Sequence, residues 1–173
     1  MTAWELLCTL KAFCKEAVKE MVLPTAVQKG DTEVQKRPPT MYEMRLPDSG
    51  SAEKLAPYGI IQVVHTKHVQ KPGDKPRYFV DVRIVFGVYC EDEQEGAIML
   101  LNFMERVQMR LLKAVDIGSL CLLDVNEPLE GLIYPDDTAP YYAGEMVGTF
   151  VLPGIEREVD LFGLKNQQIG KRI

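Results

Sequence analysis

Residues Tyr78–Gln108 read YFVDVRIVFGVYCEDEQEGAIMLLNFMERVQ, and the place where this stretch changes its period decides the fold. Up to Tyr89 the apolar residues alternate. Val80, Val82, Ile84, Phe86 and Val88 share one face, while Asp81 and Arg83 mark the other. That is a strand buried on one side and wetted on the other, as in an antiparallel sheet. Further on, Ala97, Leu100, Leu101, Met104, Val107, Leu111 and Ala114 trace one stripe of a helix that ends near Gly118. Between the two periods stand Glu91, Asp92, Glu93 and Glu95. Asp92 is placed to cap the helix, with Glu95 three residues on as its box partner. Acids in a first turn are favoured by the helix dipole, by roughly 0.3–1 kcal/mol each when exposed. These carboxylates mark a helix start, not a set of working acids.

Upstream, Ile60–Val69 (IIQVVHTKHV) is rich in β-formers, and QKPGDKPR between the two strands supplies turn chemistry. The pair makes a hairpin with a basic tip. Thr25–Pro57 loses all periodicity and carries Pro, Gly, Ser and charge, with MYEM as a short strand inside it. A connection this long either has a function or waits for a partner. Before it, Thr2–Val22 reads as an amphipathic helix. Ala3, Leu6, Leu7, Leu10, Phe13, Cys14, Ala17, Val18 and Met21 form its stripe, and Thr2 with Glu5 forms a capping box. Lys15 and Lys19 suit the negative end of its dipole, and Pro24 stops it.

Downstream of Gly118, SLCLLDV, LEGLIYP and YYAGEMVGTFVLP are β-prone pieces separated by NEP and PDDTAP. The expected architecture is a single α+β domain over residues 1–173. Its sheet is mostly antiparallel, with four to five strands, and two main helices pack on one face. A long irregular loop at 25–57, a protruding hairpin and a peripheral tail at 158–173 complete it.

The chain has 173 residues, 46% of them apolar and 26% charged, which suits a soluble domain large enough to fold without staples. A net charge of −5 argues against bulk attraction to nucleic acid or anionic membrane. No apolar window reaches the roughly 18 residues of a membrane span. The opening stretch, with Glu5 and Lys11 inside its apolar run, does not read as a secretory leader. Cys8, Cys14, Cys90 and Cys121 sit within apolar runs with no C-x-x-C pair, and read as buried free thiols in a reducing cytoplasm.

Little in the sequence points to chemistry. His65 and His68 are the only histidines, and a spacing of three on a strand puts them on opposite faces, unable to share an ion. Cys90 and His65 are a candidate pair across the hairpin, for which a packed thiol and a surface imidazole are the simpler reading. No nucleophile elbow and no phosphate-binding loop is present. The paired carboxylates Asp136–Asp137 and Glu127–Glu130 lie in loops, where nothing raises a carboxyl pKa. No catalytic, metal-binding or cofactor-binding residue is assigned, and no cofactor, small-molecule substrate or specific nucleic acid is called for. Charge instead gathers at Lys71, Asp74, Lys75 and Arg77 on the hairpin and at Lys36 and Arg37 on the long loop. These six are the candidate contacts with a neighbouring subunit or protein.

The order of features resembles the tail terminator, or tail-to-head joining, proteins of long-tailed bacteriophages. In that family a leading amphipathic helix precedes a loop with a short Pro…Tyr strand. A Pro-Tyr-hydrophobic strand follows, and then a long strand running through an acidic turn into a helix. Here these are RPPTMYEMRLP, APYGIIQVV and RYFVDVRIVFGVYCEDEQEGAIMLLNFMERVQMRLL, and PYYAGEMVGTFVLPGIERE resembles the closing strand. The likeness covers about two-thirds of the chain; the loop at Thr25–Ala56 and the tail after Arg157 depart from it.

The resemblance implies a non-enzymatic subunit of a homo-oligomeric ring, typically a hexamer. Such a ring caps the tail tube and docks the head-completion proteins, first in the host bacterial cytoplasm and then in the virion tail. The second reading is another phage or prophage head–tail connector, such as a head-closure or tube-like protein. A small cytoplasmic enzyme is the third, and it would need a cleft with a strongly shifted titratable group.

Overall fold

The computed structural model describes residues 1–26, 34–47, 55–71, 74–114, 116–118, 121–135 and 139–155. In chain order these form helix α1 (Ala3–Val18) and strands β1 (Leu23–Pro24), β2 (Lys36–Arg37), β3 (Thr40–Glu43), β4 (Tyr58–Val69) and β5 (Arg77–Tyr89). Helix α2 (Glu93–Lys113) and strands β6 (Leu122–Leu123), β7 (Glu130–Ile133) and β8 (Tyr141–Pro153) follow. The main sheet runs β3-β4-β5-β8, with β6 and β7 both pairing the outer side of β8. It is antiparallel except for β3, which lies parallel to β4 with Thr40 opposite Tyr58 and Glu43 opposite Ile61. The architecture is therefore α+β, with a mixed and mostly antiparallel sheet. Six strands fill five positions across it, because β6 and β7 share one edge.

The two periods of Tyr78–Gln108 become β5 and α2. Val80, Val82, Ile84, Phe86 and Val88 are all buried on the face that carries both helices. Asp92 ends the strand segment in an extended conformation, and its carboxylate accepts from the backbone of Gln94 (3.0 Å) and Glu95 (2.9 Å). Asp92 thus caps α2, Glu93 and Glu95 lie exposed in its first turn, and Glu91 accepts from the Tyr89 hydroxyl at 3.0 Å. Phe103 meets Phe86 edge-to-face at 4.9 Å, which welds the helix to the centre of the sheet. Gly96 lets the first turn of α2 close on Tyr142, since a Cβ there would lie 2.2 Å from the ring.

Several boundaries differ from the sequence reading. α2 stops at Lys113, short of Gly118. Ala114 turns extended so that Ile117 can enter the core through a bridge to Cys121. Gly118 turns the chain after Ile117 at φ +66°, in the left-handed region that glycine adopts without strain. α1 begins at its capping box, where Glu5 Oε2 accepts from Thr2 N at 2.6 Å, and that bond holds the exposed carboxyl of Glu5 below its ordinary pKa. The helix ends at Val18 instead of Val22, which frees Leu23 to bury and Pro24 to pair with Lys36. The buried side of α2 is Gly96, Leu100, Phe103, Met104, Val107 and Leu111, so Leu101 and Ala97, expected inside, face solvent.

Cys14, Cys90 and Cys121 are buried, but Cys8 is exposed, a quarter-turn past the buried Leu7 and on the far side of α1 from the sheet. Burial pushes the thiols of Cys14 and Cys121 up to about 12. The segment expected as one irregular loop supplies β2 and β3 to the sheets where it is described. The candidate carboxylates Asp136 and Asp137, and the tail at 158–173, lie outside the described residues.

Candidate assembly surfaces

β4 and β5 pair from Tyr58–Gly87 to Val69–Arg77, with a bulge between Val63 and His65. β8 accompanies β5 along its full length, Arg77 opposite Pro153. The hairpin is consequently braced on one side, and only its turn extends past β8. From Val64 to His68, β4 is exposed on both faces and, among the described residues, has no strand paired on its outer side, because β3 covers only Tyr58–Ile61. Lys67 in this free edge is the usual guard against unwanted strand pairing.

The structure brings four of the six candidate residues together. Lys71, Asp74, Lys75 and Arg77 line, with Val69 and Phe79, a shallow groove of about 220 Å³ at the tip. All four are exposed. Arg77 also borders two larger hollows. One of about 460 Å³ holds His68, Val69, Gln70, Pro76 and Ile155, and one of about 810 Å³ runs along Leu122–Val125 and Val151–Pro153, with Asp116 at its rim.

Lys36 and Arg37 are elsewhere. β2 lies beside the start of β4, whose 12 residues span roughly 40 Å at ~3.3 Å per residue, so they stand at the opposite end of the sheet from the tip. Lys36 is exposed, but Arg37 is turned inward. Its guanidinium donates to Leu55 O (2.6 Å), Pro38 O (3.3 Å) and the Thr40 hydroxyl. That clamp joins β2, β3 and the entry to β4. Arg37 is thereby an internal tie, which the sequence had grouped with surface charges because a charged loop residue looks the same whether or not it has found carbonyls.

The face of the sheet away from the helices carries polar rows that the sequence reading did not assemble. In one, Arg83 donates from Nε (2.9 Å) and Nη2 (2.8 Å) to Gln62 Oε1, and lies 3.6 Å from Glu145. Glu145 in turn accepts from the Tyr134 hydroxyl at 2.7 Å. Burial, then this bond to Glu145, raises the Tyr134 pKa. In the other, Asp81 accepts from Thr149 Oγ1 (2.7 Å) and meets His65 Nδ1 at 3.0 Å. The signal was present as alternation, with Asp81 and Arg83 on the wetted side of β5, but the partners sit on strands distant in sequence.

As chemistry these rows offer little. His65 is 64% exposed at its side chain, and the Thr149 hydroxyl donates to the carboxylate instead of facing the imidazole as a nucleophile would. His65 is opposite Asp81, nine positions along β5 from Cys90, so the Cys90–His65 pairing is excluded by roughly 30 Å of strand. His68 stacks on Tyr78 at 4.0 Å on the other face. Among the described residues no three His, Cys, Asp or Glu side chains gather to hold a metal. No described helix is long and apolar enough to cross a membrane. No family model matches the chain, and no curated protein is significantly similar to it.

Proposed function

We propose that this chain is a non-enzymatic structural subunit that assembles with its own copies into a ring. By the resemblance, that ring caps a phage tail tube and joins it to head-completion proteins. The observation that supports the reading is the exposed basic tip at Lys71, Lys75 and Arg77 at one end of the braced sheet, with the β1–β2 corner and its exposed Lys36 at the other. A closed ring of identical subunits uses a heterologous contact, so each copy needs two different patches. The stretches that carry the resemblance fall on β2–β3, on the β4–β5–α2 unit and on β8, which together make the sheet and its central helix. The acidic balance of the whole chain suits a channel through which DNA passes without sticking, since phosphates are repelled by carboxylates.

In this reading the basic tip meets an acidic patch on the next subunit or partner. The double variant Lys71→Glu/Lys75→Glu tests it. Both residues are exposed, so folding is retained, while assembly weakens by about tenfold or more and loses its salt dependence. Assembly that is unchanged in extent and in salt response overturns the contact.

A further inference from the structure

α2 has three sides. One lies on the sheet, and a second lies on α1, where Arg110 sits over the Phe13 ring at 5.4 Å and Arg106 faces Glu20 at 4.0 Å. The third is open and apolar: Ile98 is 57% exposed, Leu101 43%, Met109 51% and Leu112 60%. Their order is symmetric about Glu105. Leu101 and Met109 are four residues before and after it, and Ile98 and Leu112 seven before and after. We propose that this stripe is a self-pairing surface on which a second copy of the chain docks antiparallel, about a two-fold axis passing at Glu105.

The stripe reads the same in both directions, so an antiparallel copy sets Ile98 on Leu112 and Leu101 on Met109, with no apolar residue left facing a gap. Charge favours the same partner. The first turn of α2 carries Glu93 and Glu95 and its last turn Arg110 and Lys113, so an antiparallel copy lays the acidic end over the basic end. Glu95 and Lys113 are eighteen residues apart, five full turns, and therefore flank the stripe on one side. Across a two-fold axis such same-side residues face each other, giving a Lys113–Glu95 pair twice. The opposed helix dipoles add to it. Within the stripe Glu105 is the mismatch, since it meets its own copy at the axis. A single polar residue at a central seam position weakens a helix pair while fixing its register and orientation. The seam is about 21 Å long at 1.5 Å per residue, which is small for a specific interface and predicts a weak pair, with a Kd on the order of 10–100 µM.

This contact is isologous and separate from both ends of the sheet, so it joins chains, or whole rings, in pairs. Sedimentation of the full chain across that concentration range tests it. The wild type shows a reversible doubling of mass. Leu101→Asp abolishes the doubling with its thermal melt unchanged, and Glu105→Gln tightens it by about tenfold. Labelled Glu105→Lys, followed by anisotropy, binds wild-type chain more tightly than it binds itself, because Glu then meets Lys across the axis. Lys71→Glu/Lys75→Glu leaves the doubling intact, which separates it from ring assembly. The proposal is overturned if wild type and Glu105→Gln both fail to double, as they do if the stripe receives a helix of another protein. Doubling that survives Leu101→Asp, or Glu105→Lys showing no preference for wild type, overturns it equally.

Discussion

Arg37 and Lys36 are adjacent, identically charged and equally plausible as contact residues from the sequence, yet the structure assigns them opposite roles. Replacing Arg37 by Ala removes a guanidinium that donates to two backbone carbonyls, Leu55 O and Pro38 O, and to the Thr40 hydroxyl. Hydrogen bonds from a charged donor contribute about 1.5–3 kcal/mol in total at a partly buried site like this one, where the Leu55 carbonyl is left without its donor. For a chain of this size each kcal/mol shifts the melting midpoint by about 2–4 °C, so Arg37→Ala lowers it by about 3–12 °C. Arg37→Lys recovers only part of this, because a point ammonium cannot span acceptors on either side of a planar fork. Lys36→Ala, with an exposed side chain, moves the midpoint by no more than about 1–2 °C. Thermal and urea unfolding of the three variants decides the matter. If Arg37→Ala melts with the wild type but fails to assemble, the clamp is not a clamp and Arg37 belongs to the interface after all.

Three further outcomes follow from the thiols and from the left-handed turn. Only Cys8 reacts rapidly with a thiol reagent in the native protein, while Cys14, Cys90 and Cys121 wait for unfolding; fast labelling of two or more thiols contradicts the assigned burial. Cys14 and Cys121 titrate near 12 when folded against an ordinary 9.0, so the unfolded chain loses these protons first. Their contribution is intact below pH 9 and falls as pH rises toward 12, by about 1.4 kcal/mol per thiol per pH unit, and a urea midpoint flat from pH 8 to about 11 contradicts this. Gly118→Ala forces a Cβ into the left-handed region and against Thr9, and destabilises by about 1–2 kcal/mol in the same unfolding assay, where a neutral result refutes the turn.

The fold was legible where one residue pattern ran long enough to fix its own period. β5 and α2 are such cases, as are the Thr2–Glu5 box and the Asp92 cap, whose partners lie within three residues. What escaped depended on distant chain. β3 has four residues, too few for a period, and it pairs in parallel with β4, which lies outside any local window. The phase of α2 was read as including Leu101, whereas the edge-to-face fit of Phe103 on Phe86 turns the helix toward Phe103 and leaves Leu101 outside. The Gln62–Arg83–Glu145–Tyr134 row draws on β4, β5, β8 and the segment after β7, so no local window contains it. Of the six candidate contacts, the four on the hairpin are neighbours in sequence and remained together in space. The two on the loop were separated from them by the length of a strand.

In the proposed function this chain works by assembling with its own copies. Electron microscopy of the purified full-length protein, alone and mixed with tail-tube protein, tests it most directly. Closed rings of a single diameter, about six subunits each, that bind the tube end and stop its growth are the expected result. Particles that stay single in both preparations, with the tube growing unchecked, contradict it.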